Sequence, residues 1–395
     1  YRFNFGPDFR YYRNGTFRNE ESISSEGKNR ASLSNQSDFS WTLDNLIYYD
    51  KEFGKHSVGL TLLQSATGYH YEESSMAAEG IPLESAKWNA LSKENVSLLD
   101  EWNSGLIEKQ LLSYMFRVNY DYNNKYLLTV SGRWDGASQL AEGNKWAFFP
   151  SAALGWRLDQ EEFLKDVTWL NQLKFRLGVG VTGNSAIDPY QTKGAIVSLY
   201  YPFGSALAPG YAASEPLIKD GAVAMANKDL SWEKTTQYNI GLDYSVLNGR
   251  ISGVLDFYTS RTTDLLMAMT IPSLNGYTNT YANVGKTSNI GVDITLNTVN
   301  VKTRDFEWST SINAAWQKDK IDELANGKED DINNNWFIGQ ALGVIYGYEC
   351  GGLWKEEDAA EMAKFNAKGH SFQAGMVRPI AQNGDYKIVP NDDRV

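Results

Sequence analysis

The chain has 395 residues, a net charge of −11 and a single cysteine, Cys350. An acidic chain argues against a nucleic-acid-binding protein, which usually carries a basic face, and one cysteine excludes a scaffold held together by disulfides within the chain. The mean hydropathy is −0.43, and no apolar run approaches the roughly 18 residues that a membrane-spanning helix needs. Aromatic residues make up 13% of the chain, which suits strands and membrane–water boundaries.

The dominant pattern is an alternation of apolar and polar residues with a period of two. It runs through residues 114–122, 173–181, 238–246 and 290–296. Because successive side chains of a strand point to opposite faces, each segment predicts a strand with one apolar and one polar face. We expect about twelve or thirteen strands, many of them longer than the five or six residues usual in soluble sheets. A mildly hydrophilic mean is compatible with a membrane barrel, in which only alternate residues face lipid.

The connections between these segments are of two kinds. Short turns are predicted at 50–55, 123–125, 247–250 and 302–305. Long polar connections are predicted at 72–108, 182–230 and 260–285, with shorter ones near 136–146 and 321–336. Short turns at one end of a sheet and long loops at the other are typical of an outer-membrane β-barrel. The acidic start and Lys364 near the end of residues 356–365 predict a short loop helix outside the bilayer.

Motifs for catalysis and metal binding fail their requirements. Residues 178–183 match G-x-G-x-x-G, but the match lies in an alternating strand and no helix can follow, so we expect small side chains facing the lumen. The three histidines show no metal-ligand spacing. We predict no catalytic residue, no metal site and no cofactor.

Aromatic residues in the predicted loops are the first candidates for ligand binding. They are Trp88, Trp102, Tyr200, Tyr201, Phe203, Tyr211, Tyr277 and Tyr281. Their rings could stack on sugar rings. The alternative is that they form an aromatic girdle or pack loop against loop.

Several motifs, in order and at plausible spacing, resemble the SusC/RagA-type TonB-dependent transporters. They are Tyr126-Leu127-Leu128-Thr129 with Arg133 and Asp135-Gly136, Phe149-Pro150-Ser151 with Gly155-Trp156-Arg157, the run from Asn227 to Glu233, and Gln237 to Asp243. The match covers roughly 111–395, while the first hundred residues resemble only generic barrel hairpins.

The resemblance implies an all-β fold, a transmembrane antiparallel β-barrel of 22 strands in the outer membrane. We expect residues 1–395 to be a single segment of that barrel with long extracellular loops, and the N-terminal plug and the final strands to be absent. It also implies an importer rather than an enzyme, energised by TonB through a region absent from this chain. The implied partners are a SusD-like surface lipoprotein and outer-membrane lipid, with no nucleic acid.

The implied cargo is an oligomeric nutrient. Glycans are the first expectation, with starch-type oligosaccharides foremost, and oligopeptides of the same family are the alternative. Acidic residues of the lumen and loops, Asp135, Asp243, Asp256 and Asp264, would accept hydrogen bonds from hydroxyl groups or amines. A passive, porin-like barrel is a further alternative, and an upstream plug and TonB segment would decide against it.

Overall fold

A computed structural model gives the fold and describes residues 1–23, 27–81, 84–92, 98–193, 197–203, 206–212, 224–272, 279–389 and Arg394. In chain order, its strands are β1 (Arg2–Arg18), β2 (Arg30–Phe53), β3 (His56–Glu79), β4 (Leu98–Tyr122), β5 (Tyr126–Ala137), β6 (Trp146–Arg157), β7 (Leu170–Asn184), β8 (Val197–Phe203), β9 (Ala206–Ala212), β10 (Ala224–Met225), β11 (Glu233–Val246), β12 (Ile251–Thr263), β13 (Leu266–Thr270), β14 (Asn279–Asn283), β15 (Lys286–Lys302), β16 (Glu307–Glu323), β17 (Cys350–Leu353) and β18 (Val377–Pro379). The α-helix α1 spans Ala359–Asn366, directly after a 3-10 turn at Glu356–Asp358, where a loop helix was predicted.

The main sheet has eleven strands in the described part of the chain, in the order β1-β2-β3-β4-β5-β6-β7-β11-β12-β15-β16. The neighbours from β1 to β15 all pair antiparallel. Strands β8 and β9 form a separate hairpin, and β10, β14 and β13 form a small sheet of their own. Both lie in connections that the sequence predicted to be long. The predicted all-β, antiparallel fold is confirmed.

The two faces of the main sheet differ in chemistry. The side that carries Phe116, Phe148 and Leu154 is called the apolar face here, and the side that carries Arg176 and Asp256 is called the polar face. On the apolar face, Phe148 is 50% exposed and Leu154 is 55% exposed. Large apolar side chains exposed side by side are costly in water, but they are favourable against lipid chains. The apolar alternation of the sequence therefore corresponds to a sheet whose apolar face contacts lipid.

Aromatic rings form two rows on the apolar face. One row stacks at centroid distances of 6.4 and 6.5 Å and consists of Tyr122, Tyr126 and Trp156. The other row consists of Tyr114, Trp134 and Trp146, with centroids 6.3 and 6.4 Å apart. Tyr114 and Tyr122 are separated by about 27 Å along β4 at the usual rise per residue. With the tilt of about 35–45° usual for barrel strands, this separation is about 20 Å along the membrane normal. Because outer-membrane barrels have an apolar band about 25 Å tall between two aromatic girdles, we assign the rows to the two bilayer surfaces.

The two ends of the main sheet are built differently. Tight connections lie at one end, called the turn end, at 54–55, 123–125 and 247–250. Backbone φ is positive at Asn123 and Asn124, as a type I′ hairpin turn requires. The opposite end, called the loop end, carries the connections 80–97, 138–145, 185–232 and 264–285. By analogy with outer-membrane barrels, the turn end is periplasmic and the loop end is extracellular.

The strands extend further toward the loop end than the sequence indicated. Residues 72–108 were predicted to be a long polar connection, yet β3 continues to Glu79 and β4 begins at Leu98. Beyond the bilayer both faces of a hairpin contact water, so the apolar alternation disappears while the backbone hydrogen bonds continue. The predicted loop was therefore wrong over much of its length.

The chain divides into two compact units, residues 1–318 and 319–395. The second unit is organised around Trp354, Met362 and Phe365, all of them buried. The Arg378 guanidinium lies 4.8 Å from the centroid of the Trp354 ring and donates to Glu361 at 2.7 Å. That residues 1–395 form one barrel segment stays a prediction. Among the described residues, no helix is both long and apolar enough to cross a bilayer.

Candidate functional site: the polar face and the loop end

The polar face carries an ion-pair network across three neighbouring strands. The Arg176 side chain on β7 donates to Asp243 on β11 at 2.9 Å and to Asp256 on β12 at 3.0 Å. The adjacent Gly241 provides the space, because a Cβ there would lie 2.6 Å from the guanidinium. One guanidinium thus binds two carboxylates, both of which sequence analysis had named as hydrogen-bond acceptors for a ligand.

A second ion pair lies nearer the loop end. Arg133 donates through Nε to both oxygens of Asp135, at 2.7 and 2.9 Å, and through a terminal nitrogen to Ser113 at 2.9 Å. Asp135 is 8% exposed, so little of its carboxylate is left for a ligand. The Arg-x-Asp spacing on alternate residues of β5 places both groups on the polar face.

Neutral hydrogen-bonding groups make up much of the wall between these ion pairs. Thr129 donates to Asn119 at 3.0 Å, and Ser131 and Ser151 share a hydrogen bond of 2.6 Å. The glycines of the G-x-G-x-x-G match lie in β7, as predicted, with Gly178 and Gly180 on this face. The wall is therefore low in relief and offers hydroxyl and amide groups.

The loop end is braced by a buried aromatic pair. Trp232, 5% exposed, packs edge-on against Phe149 at a centroid distance of 5.3 Å. Its Nε1 donates to the Lys145 carbonyl oxygen at 2.8 Å, so the connection 185–232 is fastened to the connection 138–145. Ala137 and Leu140 complete this core cluster.

Two asparagines fasten a third connection to the same layer. Asn283 accepts from the Ser231 amide at 2.7 Å and donates to the Ser231 carbonyl at 2.8 Å and the Asp264 carbonyl at 3.0 Å. Asn227 donates to the Tyr281 carbonyl at 2.8 Å. The motif from Asn227 to Glu233 thus serves as a brace within the loop end.

The structure places the predicted ligand residues at several positions. Trp88 packs over Gly15 of β1, Tyr281 lies half-buried in β14, and Asp264 is exposed with a positive φ of 59°. Trp102 lies in β4, Tyr200, Tyr201 and Phe203 in β8, and Tyr211 in β9. Tyr277 lies outside the described residues. Their contact with a ligand stays a prediction.

Sequence analysis missed two residues that organise these regions. Arg176 was assigned only to the polar side of an alternating strand, and Trp232 only to a motif. The sequence indicated only that Arg176 lies on the polar side of its strand, because its pairing with aspartates of two other strands depends on the strand register. Within the described part of the chain, no group of three His, Cys, Asp or Glu side chains could hold a metal ion.

Comparison with known proteins gives the family. Residues 1–370 match the family model described as TonB dependent receptor-like, beta-barrel. TonB-dependent receptor P26 of Formosa agariphila is 31% identical over 411 residues, covering 100% of this chain and 40% of that protein. TonB-dependent receptor SusC of Bacteroides thetaiotaomicron is 38% identical over 255 residues, covering 62% of this chain and 24% of SusC.

Solved structures agree with the fold. The structure of the RagAB peptide importer in the open-open state superposes with a TM-score of 0.77 at 25% identity, covering 90% of this chain and 38% of that chain. This chain thus spans less than half the length of the relatives it matches. The chain belongs to the TonB-dependent receptor β-barrel family, is of the SusC/RagA type, and lies in the outer membrane.

Proposed function

We propose that this protein imports oligomeric nutrients across the outer membrane in a TonB-dependent manner, with starch-type oligosaccharides as the first cargo. The polar face carries the proposal, because Arg176 is paired with Asp243 and Asp256, and Arg133 with Asp135, so these charged groups bind one another within the wall. Hydroxyl and amide groups such as those of Thr129, Ser131 and Asn119 lie on the same face and can hydrogen-bond a polyhydroxylated chain. The resemblance of the sequence to SusC/RagA-type transporters, which implies glycans before peptides, also supports this order.

The loop end would supply affinity. Aromatic rings at Trp102, Tyr200, Tyr201, Phe203 and Tyr211 would stack on sugar faces, since a ring presents an apolar face with a polar rim. Exposed Asp264 would accept hydrogen bonds from hydroxyl groups. The remaining predicted ligand residues are Trp88, Tyr277, Tyr281 and Asp135.

Two protein partners belong to the proposal. A SusD-like surface lipoprotein would close over the loop end, where the buried core around Trp232 holds the loops in a fixed arrangement. TonB would supply the energy from the periplasmic side. We propose no enzymatic reaction for this protein.

Oligopeptides are the second candidate cargo. The similarity to the RagAB peptide importer over 90% of this chain favours them. A peptide carries amide groups that the hydroxyl and amide groups of the same wall can also bind.

The test is a calorimetric titration of the full-length protein, purified from outer membranes together with any lipoprotein that accompanies it. Maltoheptaose and a mixture of oligopeptides are titrated separately. We expect binding of maltoheptaose that weakens about tenfold or more in Trp102→Ala. Trp308→Ala, on the apolar face, is the matched control and should bind normally. If only the peptides bind, the fold assignment stands and the proposed oligosaccharide cargo is wrong.

A further inference from the structure

The polar face continues beyond the bilayer along β1–β4 at the loop end. Gln64 of β3 pairs with Tyr114, which lies in the aromatic row nearer the loop end, and Tyr71 follows seven residues after Gln64. At the usual rise per residue and strand tilt, Tyr71 therefore lies about 18 Å above the bilayer surface. The pairing of β3 with β2 and β4 is regular over this distance, so the wall there is sheet rather than loop.

Six side chains on three neighbouring strands share this part of the polar face, and they are called the vestibule patch here. They are Tyr12 on β1, Gln36 and Asp38 on β2, and Tyr69, Tyr71 and Glu73 on β3. The face follows from the alternation along β3, counted from Ser65, which pairs with Ser113 of the polar face. The register pairs Gln36 with both Glu73 and Tyr12. It also pairs Asp38 with Tyr71, so the six side chains occupy adjacent positions of one surface.

Carboxylates orient two of the three tyrosines. Tyr69 donates to Asp38 at 2.9 Å, and Tyr71 donates to Glu73 at 2.5 Å. The Lys109 ammonium lies 4.8 Å from the centroid of the Tyr69 ring. Because a phenol that donates to a carboxylate is held in one orientation, less conformational entropy is lost when a ligand binds. Each carboxylate keeps further lone pairs that can accept hydrogen bonds from the ligand.

The other groups of the vestibule patch are available to a ligand. Tyr12 is 57% exposed, and Tyr71 is half-buried. Among the described residues, the Gln36 side chain makes no hydrogen bond, and the rings of Tyr12 and Tyr71 contact neither another ring nor a cation. The Cα atoms of the two tyrosines are about 12 Å apart at the usual strand spacing and rise per residue. Gln36 and Asp38 lie on the strand between them, so hydrogen-bonding groups separate two aromatic faces.

We propose that the vestibule patch is a binding subsite for oligosaccharide cargo. Two sugar rings would stack on Tyr12 and Tyr71, since each phenol presents an apolar face with a polar edge. The sugar hydroxyls between them would donate to Asp38 and bind the Gln36 amide. The subsite rests on the proposed function, and it would hold the cargo above the membrane before the cargo enters the lumen.

The experiment is a calorimetric titration of the full-length protein, purified with any accompanying lipoprotein, with maltoheptaose as the probe. The double variant Tyr12→Ala/Tyr71→Ala should bind about tenfold or more weakly, because two stacking contacts are lost. Tyr11→Ala is the matched control and should bind normally, because Tyr11 is 61% exposed on the opposite face of the same strand. Tyr71→Phe keeps the ring and should lose less affinity than Tyr71→Ala. Circular dichroism confirms that each variant has folded.

Hydroxyl-radical footprinting locates the ligand without any substitution. Saturating maltoheptaose should protect Tyr12 and Tyr71 from oxidation and leave Tyr11 unchanged. Unchanged oxidation of Tyr12 and Tyr71, or equal affinity of the double variant and Tyr11→Ala, would overturn the subsite and leave the proposed cargo intact. If the unaltered protein does not bind maltoheptaose, the proposed cargo and the subsite are both wrong. If the double variant loses affinity for oligopeptides but not for maltoheptaose, the vestibule patch binds peptides and the sugar assignment is wrong.

Discussion

The turn end and the loop end of the same strands are held by different kinds of interaction. At the turn end, contacts join adjacent strands and their short connections: Glu161 accepts from Tyr126 at 2.8 Å and from Trp156 at 2.9 Å, and pairs with Lys125. At the loop end, Trp232 and Asn283 join connections that are 50 to 90 residues apart in sequence. The comparison shows that short turns between adjacent strands form one end, whereas side chains that fasten one long connection to another hold the other end.

The largest effect is expected for Trp232→Ala. It removes a buried ring and the Nε1 hydrogen bond, and we expect a loss of about 3 kcal/mol or more in the free energy of unfolding. Urea unfolding in detergent measures this loss, and hydrogen exchange should show it first in the loops. Trp308→Ala is the control, because Trp308 is 55% exposed on the apolar face. Equal destabilisation by both variants would refute a brace at the loop end.

Asn283→Ala should have the next largest effect. It leaves two backbone carbonyls and one amide of the loop end without their partner, which costs about 2 kcal/mol. The same unfolding measurement applies. Asn239→Ala on the polar face is the control, because no hydrogen bond to its side chain occurs among the described residues. If loop protection in hydrogen exchange is unchanged in Asn283→Ala, the long-range brace is not there.

Arg176→Met should destabilise by about 1–2 kcal/mol, since two partly exposed carboxylates lose their common cation. Adding Asp243→Asn should recover part of that loss, because one of the uncompensated charges is removed. Chemical denaturation of both single variants and the double variant gives the coupling. Strict additivity of the two substitutions would show that the network does not act as a unit.

The smallest effect is expected at the turn end, from Glu161→Gln. The hydrogen bond from Lys125, followed by that from Trp156, lowers the pKa of Glu161 below its usual 4.5. Because the folded protein favours the ionised carboxylate, this stabilisation is present above the unfolded pKa and is lost as pH falls through the folded value. The difference in melting temperature between the two proteins should therefore be largest near pH 7 and shrink below about pH 4. A difference that is independent of pH would contradict this assignment.

The same division explains what could be predicted from the sequence. The turn at Asn123–Asn124, the alternation along 114–122 and the helix at Ala359–Asn366 depend on local residue types, and all three were predicted. The continuation of β3 to Glu79 was missed, because a hairpin in water on both faces has no apolar pattern.

The ion-pair network illustrates why the site was harder to predict than the fold. Asp243 and Asp256 were named as ligand acceptors from their side of the strand alone. Their pairing with Arg176 depends on β7 lying next to β11, across a connection of 48 residues that sequence periodicity cannot bridge. Strand alternation predicted that both aspartates lie on the polar face. Their pairing with Arg176 follows only from the strand register.

Cysteine accessibility along one strand tests the central claim, that this sheet is a membrane wall with one lipid face and one aqueous face. Single cysteines would replace residues 127 to 131 of β5 in the full-length protein, in a background that lacks Cys350 and any other cysteine. Labelling in outer membranes with a small, charged thiol reagent should alternate, with positions 129 and 131 reacting and positions 128 and 130 protected. Uniform labelling at all positions would contradict the account.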